Sequence, residues 1–196
     1  MNKAAATRNT ILEKAFELIY KKGYQTTSID EIIATTKVTK GAFYYHFKTK
    51  DEMGLAIIDE ILKPTMQTAF VETFRNSTDP VKEIYKLIKS LLLDNSFLTV
   101  ECGCPVGNLA QEMTPWNPVF GKAIADIISE WQLTLEKIIQ NGVDKFILKK
   151  DVNPQQVAYF VISGYWGIRS FGKVYNNTDC YYSYLKELKA YLNSLK

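Results

Sequence analysis

Apolar residues recur along this chain at intervals of three and four, the spacing of a helix that buries one face. In "RNTILEKAFELIYKKG", Leu12, Ala15, Phe16, Ile19 and Tyr20 fall on one stripe, and Gly23 follows a lysine-rich last turn as a stop signal. Ser28 stands three residues before Glu31, the arrangement of a capping box, and Ile29, Ile32 and Ile33 form the buried side of a second helix. A third, short helix is predicted from about Thr39 to Phe47, with Thr39 as its N-cap. Thr49 and Glu52 repeat the capping-box spacing and open a fourth helix through Leu55, Ile58 and Leu62. Pro64 is expected to kink or end it before the pattern resumes in "TMQTAFVETF". "RNSTDP" reads as a loop, with Pro80 in the first turn of a helix over 80–95. Two glycines and three prolines in "ECGCPVGNLAQEMTPWNP" break the periodicity around a short helix at 107–113. Helical pattern returns at 118–141, closing at Asn141-Gly142, and recurs at 154–174 and 181–195. No segment reads as strand. The expected fold class is all-α, with nine or so helices.

Charge changes this picture by dividing the chain. Residues 1–50 carry nine Lys/Arg against four Asp/Glu, whereas residues 51–196 carry fifteen against seventeen. Positive charge is thus gathered in the first quarter, as expected if that part meets a polyanion and the rest does not. No apolar run reaches the roughly 18–20 residues of a membrane span, and the N-terminus offers no hydrophobic signal region. A cytoplasmic location without a membrane partner is therefore expected. Three cysteines in such a chain argue against a disulfide framework. With a single histidine, His46, neither a metal site nor a cofactor is expected.

Three helices within the first 47 residues, the last two joined by the tight "TKVTK" turn, make residues 1–50 a helix-turn-helix candidate. At about 100° per residue, Phe43 and Phe47 share one side of the third helix and can pack on the first two. Gly41 and Tyr45 fall opposite, with Lys40 and Tyr44 on one edge and Ala42 and His46 on the other. That outer face suits a DNA groove. Lys40 and Lys50 can neutralise phosphates, and Tyr44, Tyr45 and His46 offer polar tips to phosphate oxygens or base edges. Gly41 inside a helix costs up to about 1 kcal/mol relative to Ala, and a backbone that approaches DNA closely is one reason to accept that. Thr27 and Ser28 lie at the N-terminus of the second helix, where free N–H groups suit a phosphate.

The stretch "TTSIDEIIATTKVTKGAFYYHFKTKDEM" resembles the DNA-binding signature of the TetR/AcrR family of bacterial transcriptional regulators, of the form T…I…A…V-x-x-G-x-x-Y-x-H-F-x-x-K-x-x-L. Thr27, Ile32, Val38, Gly41, Tyr44, His46, Phe47 and Lys50 fill it. Met53 stands where Leu is usual, and Thr35 near where a second small apolar residue is common. Thr39, at the N-terminus of the third helix, is also counted among the DNA-binding residues. The resemblance implies a homodimer on a palindromic double-stranded DNA operator, with repression as the usual mode. It also implies that residues 51–196 form a helical domain for a small-molecule inducer and for dimerisation. An inducer favouring the DNA-incompetent state must bind that state more tightly.

Within that second part, residues 154–174 are apolar over most of their circumference and must be buried on several sides. Gly164, Gly167 and Gly172 would let another helix approach closely. Residues 181–195 carry a stripe at Tyr181, Tyr184, Leu185, Leu188, Leu192 and Leu195. These two helices are expected to build the dimer seam as well as part of the monomer core. Aromatic residues, among them Trp116, Phe120, Trp131, Tyr159 and Trp166, could line an inducer pocket, although each taken alone reads more readily as packing.

"CGCPVGNLAQEM" is similar to the "GCxxGNLAxE" segment of a subgroup of the same family, some of whose members respond to electrophiles or oxidants through cysteine. Cys104 matches that cysteine, and Lys173 is a candidate basic partner. A thiol near a helix N-terminus is more readily ionised; a small buried hydrophobe in a turn is the structural alternative. Two other classes stay open at this point. A cysteine-dependent enzyme would need a base that the distant His46 does not supply. A DNA-binding protein without a ligand switch would need none of these features beyond residue 50.

Overall fold

The computed structural model describes residues 3–74 and 79–196, with side chains except at residues 3 and 69–73. Residues 75–78, most of the expected 75–80 loop, lie outside the described residues. Ten α-helices follow one another with no strand among the described residues. They are α1 (Lys3–Lys22), α2 (Ile29–Thr36), α3 (Lys40–His46), α4 (Lys50–Ile57), α5 (Lys63–Phe74), α6 (Pro80–Leu93), α7 (Pro105–Met113), α8 (Pro118–Asp144), α9 (Pro154–Tyr175) and α10 (Asp179–Ser194).

A π-helical turn, Ile58–Leu62, joins α4 to α5 without a break. Pro64 therefore does not end the fourth helix. A proline ring collides with the carbonyl four residues back in a regular α-helix. The wider turn just before it, with the Lys63 N–H donating to the Ile58 carbonyl, moves those carbonyls outward. Gly142 is also not a terminator. The helix runs on to Asp144, and a Cβ at Gly142 would lie 2.7 Å from Pro80 and 2.9 Å from Leu148. Close packing, not a stop, is what asks for glycine there.

Contacts divide the chain into two compact units, Met1–Thr65 with Pro105–Ala125 and Met66–Cys104 with Asp126–Lys196. The first unit therefore reaches beyond residue 50 and takes in α7 and the start of α8. Its core gathers Ile11, Leu12, Ala15 and Phe16 of α1, Ile32 of α2, Phe43 of α3, and Phe47, Met53 and Ile57. In the second unit, α10 packs on α6 and α9. Leu87, Ile88 and Leu91 of α6, Val161 and Tyr165 of α9, and Leu185 and Leu188 of α10 are all buried.

Much of the α10 stripe thus closes the chain's own core. Two of the three α9 glycines admit the helix that follows: a Cβ at Gly164 would lie 2.7 Å from the Tyr184 hydroxyl, and one at Gly172 would collide with the Tyr181 ring and hydroxyl. Gly167 faces open space. On the remaining faces, Tyr159, Phe160, Phe171, Val174 and Tyr175 of α9 and Tyr182 of α10 are exposed.

Candidate nucleic-acid interface

The caps read from sequence set the three-helix head. Ser28 accepts from the Glu31 N–H, and Glu31 in turn accepts from the Ser28 N–H, so the first capping box is complete. Lys22 also donates to Glu31 at 2.6 Å, and this bond, followed by those from Ser28, holds the Glu31 carboxyl down at about 2. The α2–α3 turn passes through Lys37 in the left-handed region, with φ of 55°. Thr39 then caps α3 by accepting from the Ala42 N–H. At Thr49 the second box is half formed. Its hydroxyl accepts from the Glu52 N–H, but the Glu52 carboxylate accepts from the N–H of Lys48 instead.

Phe43 and Phe47 seat α3 by full burial, and the Arg8 guanidinium lies 4.9 Å from the centroid of the Phe47 ring. Tyr44 and Tyr45 are exposed, Tyr45 at 72% of its surface. His46 is half-buried and meets Tyr45 edge-on at 5.0 Å between ring centroids. Lys40 donates to Asp30 at 3.0 Å across the exposed ends of α2 and α3, a bond that raises the lysine's pKa. A Cβ at Gly41 would meet nothing of this chain within 4 Å. Internal packing therefore gives no reason for glycine at that position.

Two of the residues read as phosphate ligands are occupied inside the head. Thr27 is fully buried, its hydroxyl donating to the Gly23 carbonyl at 2.7 Å. Lys50 donates to the carbonyls of Tyr24 at 3.1 Å and Thr27 at 3.2 Å, with its ammonium over the Tyr24 ring. Ser28, Thr39, Lys40, Gly41, Tyr44 and Tyr45 are exposed, and His46 is half-buried.

Tyr24, buried and unremarked in the sequence, anchors this arrangement. Its hydroxyl donates to Asp51 at 2.6 Å, and its ring centroid lies 5.0 Å from that of Phe120. Burial, then the Asp51 bond, raises the phenol's pKa. Gly54 lets both rings in, since a Cβ there would sit 2.6 Å from Tyr24 and 2.7 Å from Phe120. Asn117 donates to the second Asp51 oxygen at 3.1 Å. Phe120 is thus part of the Tyr24 seat.

The other candidate ligand residues are dispersed. Trp116 is 78% exposed, and Tyr159 and Lys173 are exposed on α9. Trp131 is buried, and Trp166 is half-buried with an indole N–H that has no partner among the described residues. A groove of about 260 Å³ in the second unit is lined by Val81, Lys82, Tyr85, Lys189 and Leu192 among others, and by none of these candidates.

Cys104, 5% exposed, directly precedes α7. The basic group at its turn is Arg169, a residue the sequence reading passed over. Fully buried on α9, it donates to the carbonyls of Thr99, at 2.8 Å, and Gly103. Its signal was the 161–165–169–172 spacing, which puts an arginine on the inward stripe of an apolar helix. No group of three or more His, Cys, Asp or Glu able to hold a metal occurs among the described residues. No described helix is long and apolar enough to cross a membrane.

Comparison with known proteins agrees with this architecture. Residues 11–57 match the model of bacterial regulatory proteins of the tetR family, and residues 73–188 that of the tetracyclin repressor-like C-terminal domain. An uncharacterised HTH-type transcriptional regulator in the lacX 3' region of Lactococcus lactis is 33% identical over 135 residues, covering 69% of this chain and 67% of the relative. The HTH-type transcriptional repressor DhaR of Mycobacterium sp. (strain GP1) is 25% identical over 174 residues, 88% of this chain and 85% of its own. A TetR transcriptional regulator of known structure from Chloroflexus aurantiacus superposes with a TM-score of 0.89 over 98% of this chain and 97% of its own, at 23% identity.

Proposed function

The chain belongs to the tetR family of bacterial regulatory proteins, and is a transcriptional regulator of that family; from that premise we propose that it is a cytoplasmic repressor that binds a palindromic operator as a homodimer. The observation that carries the reading is the outer face of α3. There an open Gly41 lies among the exposed Tyr44, Tyr45 and Lys40, while Phe43 and Phe47 hold the helix from behind. Gly41 lets the backbone descend to a groove, and the tyrosine hydroxyls and Lys40 meet phosphates at its walls. Ser28 and Thr39, at two helix N-termini, add to the phosphate contacts. Lys50 and Thr27 act from behind, by holding the turn that leads into α2.

The exposed aromatic face of α9, with Tyr182 of α10, is the surface that a second copy covers. Two copies would set their α3 helices into successive major grooves, about 34 Å apart. The experiment is fluorescence anisotropy with the DNA flanking the protein's own gene, in a salt series, comparing the natural protein with Tyr44→Ala. Weaker binding by the variant supports the reading, and equal binding removes the assignment of the outer face of α3 to DNA.

A small molecule releases the operator in this reading, and Cys104 is its point of attack when the inducer is thiol-reactive. What supports this is the position of Cys104 at the N-terminus of α7, with the Arg169 guanidinium bound to the neighbouring Gly103 carbonyl. The test is release of operator by N-ethylmaleimide in the natural protein and in Cys104→Ser. Release from both would make Cys104 a packing residue.

A further inference from the structure

The segment "NLAQEM" on α7 contains a carboxylate whose described bonds all go to the DNA-reading head. Both Glu112 oxygens accept backbone N–H groups of adjacent residues, from Tyr24 at 2.8 Å and from Gln25 at 2.6 Å. The Glu112 carbonyl also accepts from the Gln25 side chain at 3.1 Å. Two neighbouring amides aimed at one carboxylate form a charge-assisted pair, stronger than neutral hydrogen bonds. Gly23 makes room for it. Its φ of +98° suits glycine, and a Cβ there would stand 3.2 Å from each carboxylate oxygen.

What Glu112 holds is the turn that enters α2. The Tyr24 N–H goes to Glu112, its carbonyl to Lys50 and its hydroxyl to Asp51, so every polar group of Tyr24 is held by a charged side chain. The Thr27 N–H donates to the Tyr24 carbonyl at 3.3 Å, and the Thr27 carbonyl shares Lys50. Ser28, the N-cap of α2, is the next residue. The position of the α2 N-terminus, and of α3 behind it, is thereby tied to α7.

We infer that Glu112 is a positioning residue for operator binding: its carboxylate, outside the three-helix head, fixes the α1–α2 turn and with it the pose of the helix-turn-helix. This rests on the operator-binding reading above. It also assigns a task to a motif that thiol chemistry leaves unexplained. Glu112 stands seven residues after Pro105 on one rigid helix, about 10 Å along its axis.

The test uses the full-length protein with Glu112→Ala and Glu112→Gln, at a temperature where each is folded by circular dichroism. Two readouts are taken, operator affinity and amide hydrogen exchange at Tyr24 and Gln25. Glu112→Ala is expected to bind operator about tenfold more weakly, the equivalent of one charge-assisted hydrogen bond, with both amides losing protection. Glu112→Gln keeps one acceptor oxygen and should fall between. A residue serving stability alone would lower the melting temperature and leave the affinity of the folded protein unchanged. Should Glu112→Ala not fold, Glu112→Gln decides: weaker binding supports the inference, and equal binding overturns it. Tyr44→Ala separates the two layers. Loss at Tyr44 with none at Glu112 overturns the present inference alone. Loss at Glu112 with none at Tyr44 overturns the reading of α3 and leaves that of Glu112 standing.

Discussion

The Lys50 ammonium lies 3.1 Å from the carbonyl oxygen of Tyr24 and 4.6 Å from the centroid of that residue's ring. A lysine that sequence alone points toward DNA is therefore committed to the interior of the head. Lys50→Met should lower the stability of the protein by about 2 kcal/mol, the range for hydrogen bonds to a charged donor. It should leave the slope of log affinity against log salt nearly unchanged. Urea unfolding and a salt titration measure the two effects; a slope reduced by about 0.9 would instead make Lys50 a phosphate ligand.

Lys40 is expected to behave in the opposite way. Its bond to Asp30 joins two exposed side chains and is screened by solvent, so the ammonium is easily released to a phosphate. Lys40→Ala should scarcely change the unfolding midpoint, and it should cut the salt slope by about 0.9. The same two titrations check it.

Glu31 sets a pH dependence with a definite sign. Its folded pKa, about 2, lies below the ordinary value of 4.5, so the unfolded chain binds the proton more readily. The stability that Glu31 contributes is complete above about 4.5 and is lost as pH falls through about 2. Glu31→Gln should remove this part of the acid destabilisation, making stability less steep between those pH values. Denaturant unfolding as a function of pH, variant against natural protein, is the measurement.

Thiol modification should separate the cysteines. N-ethylmaleimide is expected to release operator from Cys102→Ser and Cys180→Ser as it does from the natural protein, and to leave Cys104→Ser bound. Native mass spectrometry of the treated protein–DNA complex reads both the adduct and the release.

The head was largely legible in the sequence because its determinants are local. Ser28 with Glu31, Thr39 with Ala42, and Phe43 with Phe47 all act within one turn of helix, so spacing alone reveals them. Glu112 and Tyr24, 88 residues apart, leave no periodic trace, and neither does the engagement of Lys50 by carbonyls. Gly142 shows the same limit from the other side. As a local signal it marks a helix end, whereas the contacts with Pro80 and Leu148 that decide its role come from elsewhere in the chain. The aromatic residues of the second part could not be sorted into core and surface by type. Trp131 is buried and Tyr159 exposed, and only the neighbours supplied by the fold distinguish them.

Gly41→Leu tests most directly the proposal that the outer face of α3 approaches DNA at Gly41. The chain leaves that position open, and replacing glycine within a helix removes a cost of up to about 1 kcal/mol. The expected result is a melting temperature equal to or above that of the natural protein, together with operator affinity reduced at least about tenfold. A folded Gly41→Leu protein that binds operator as tightly as the natural one would contradict it.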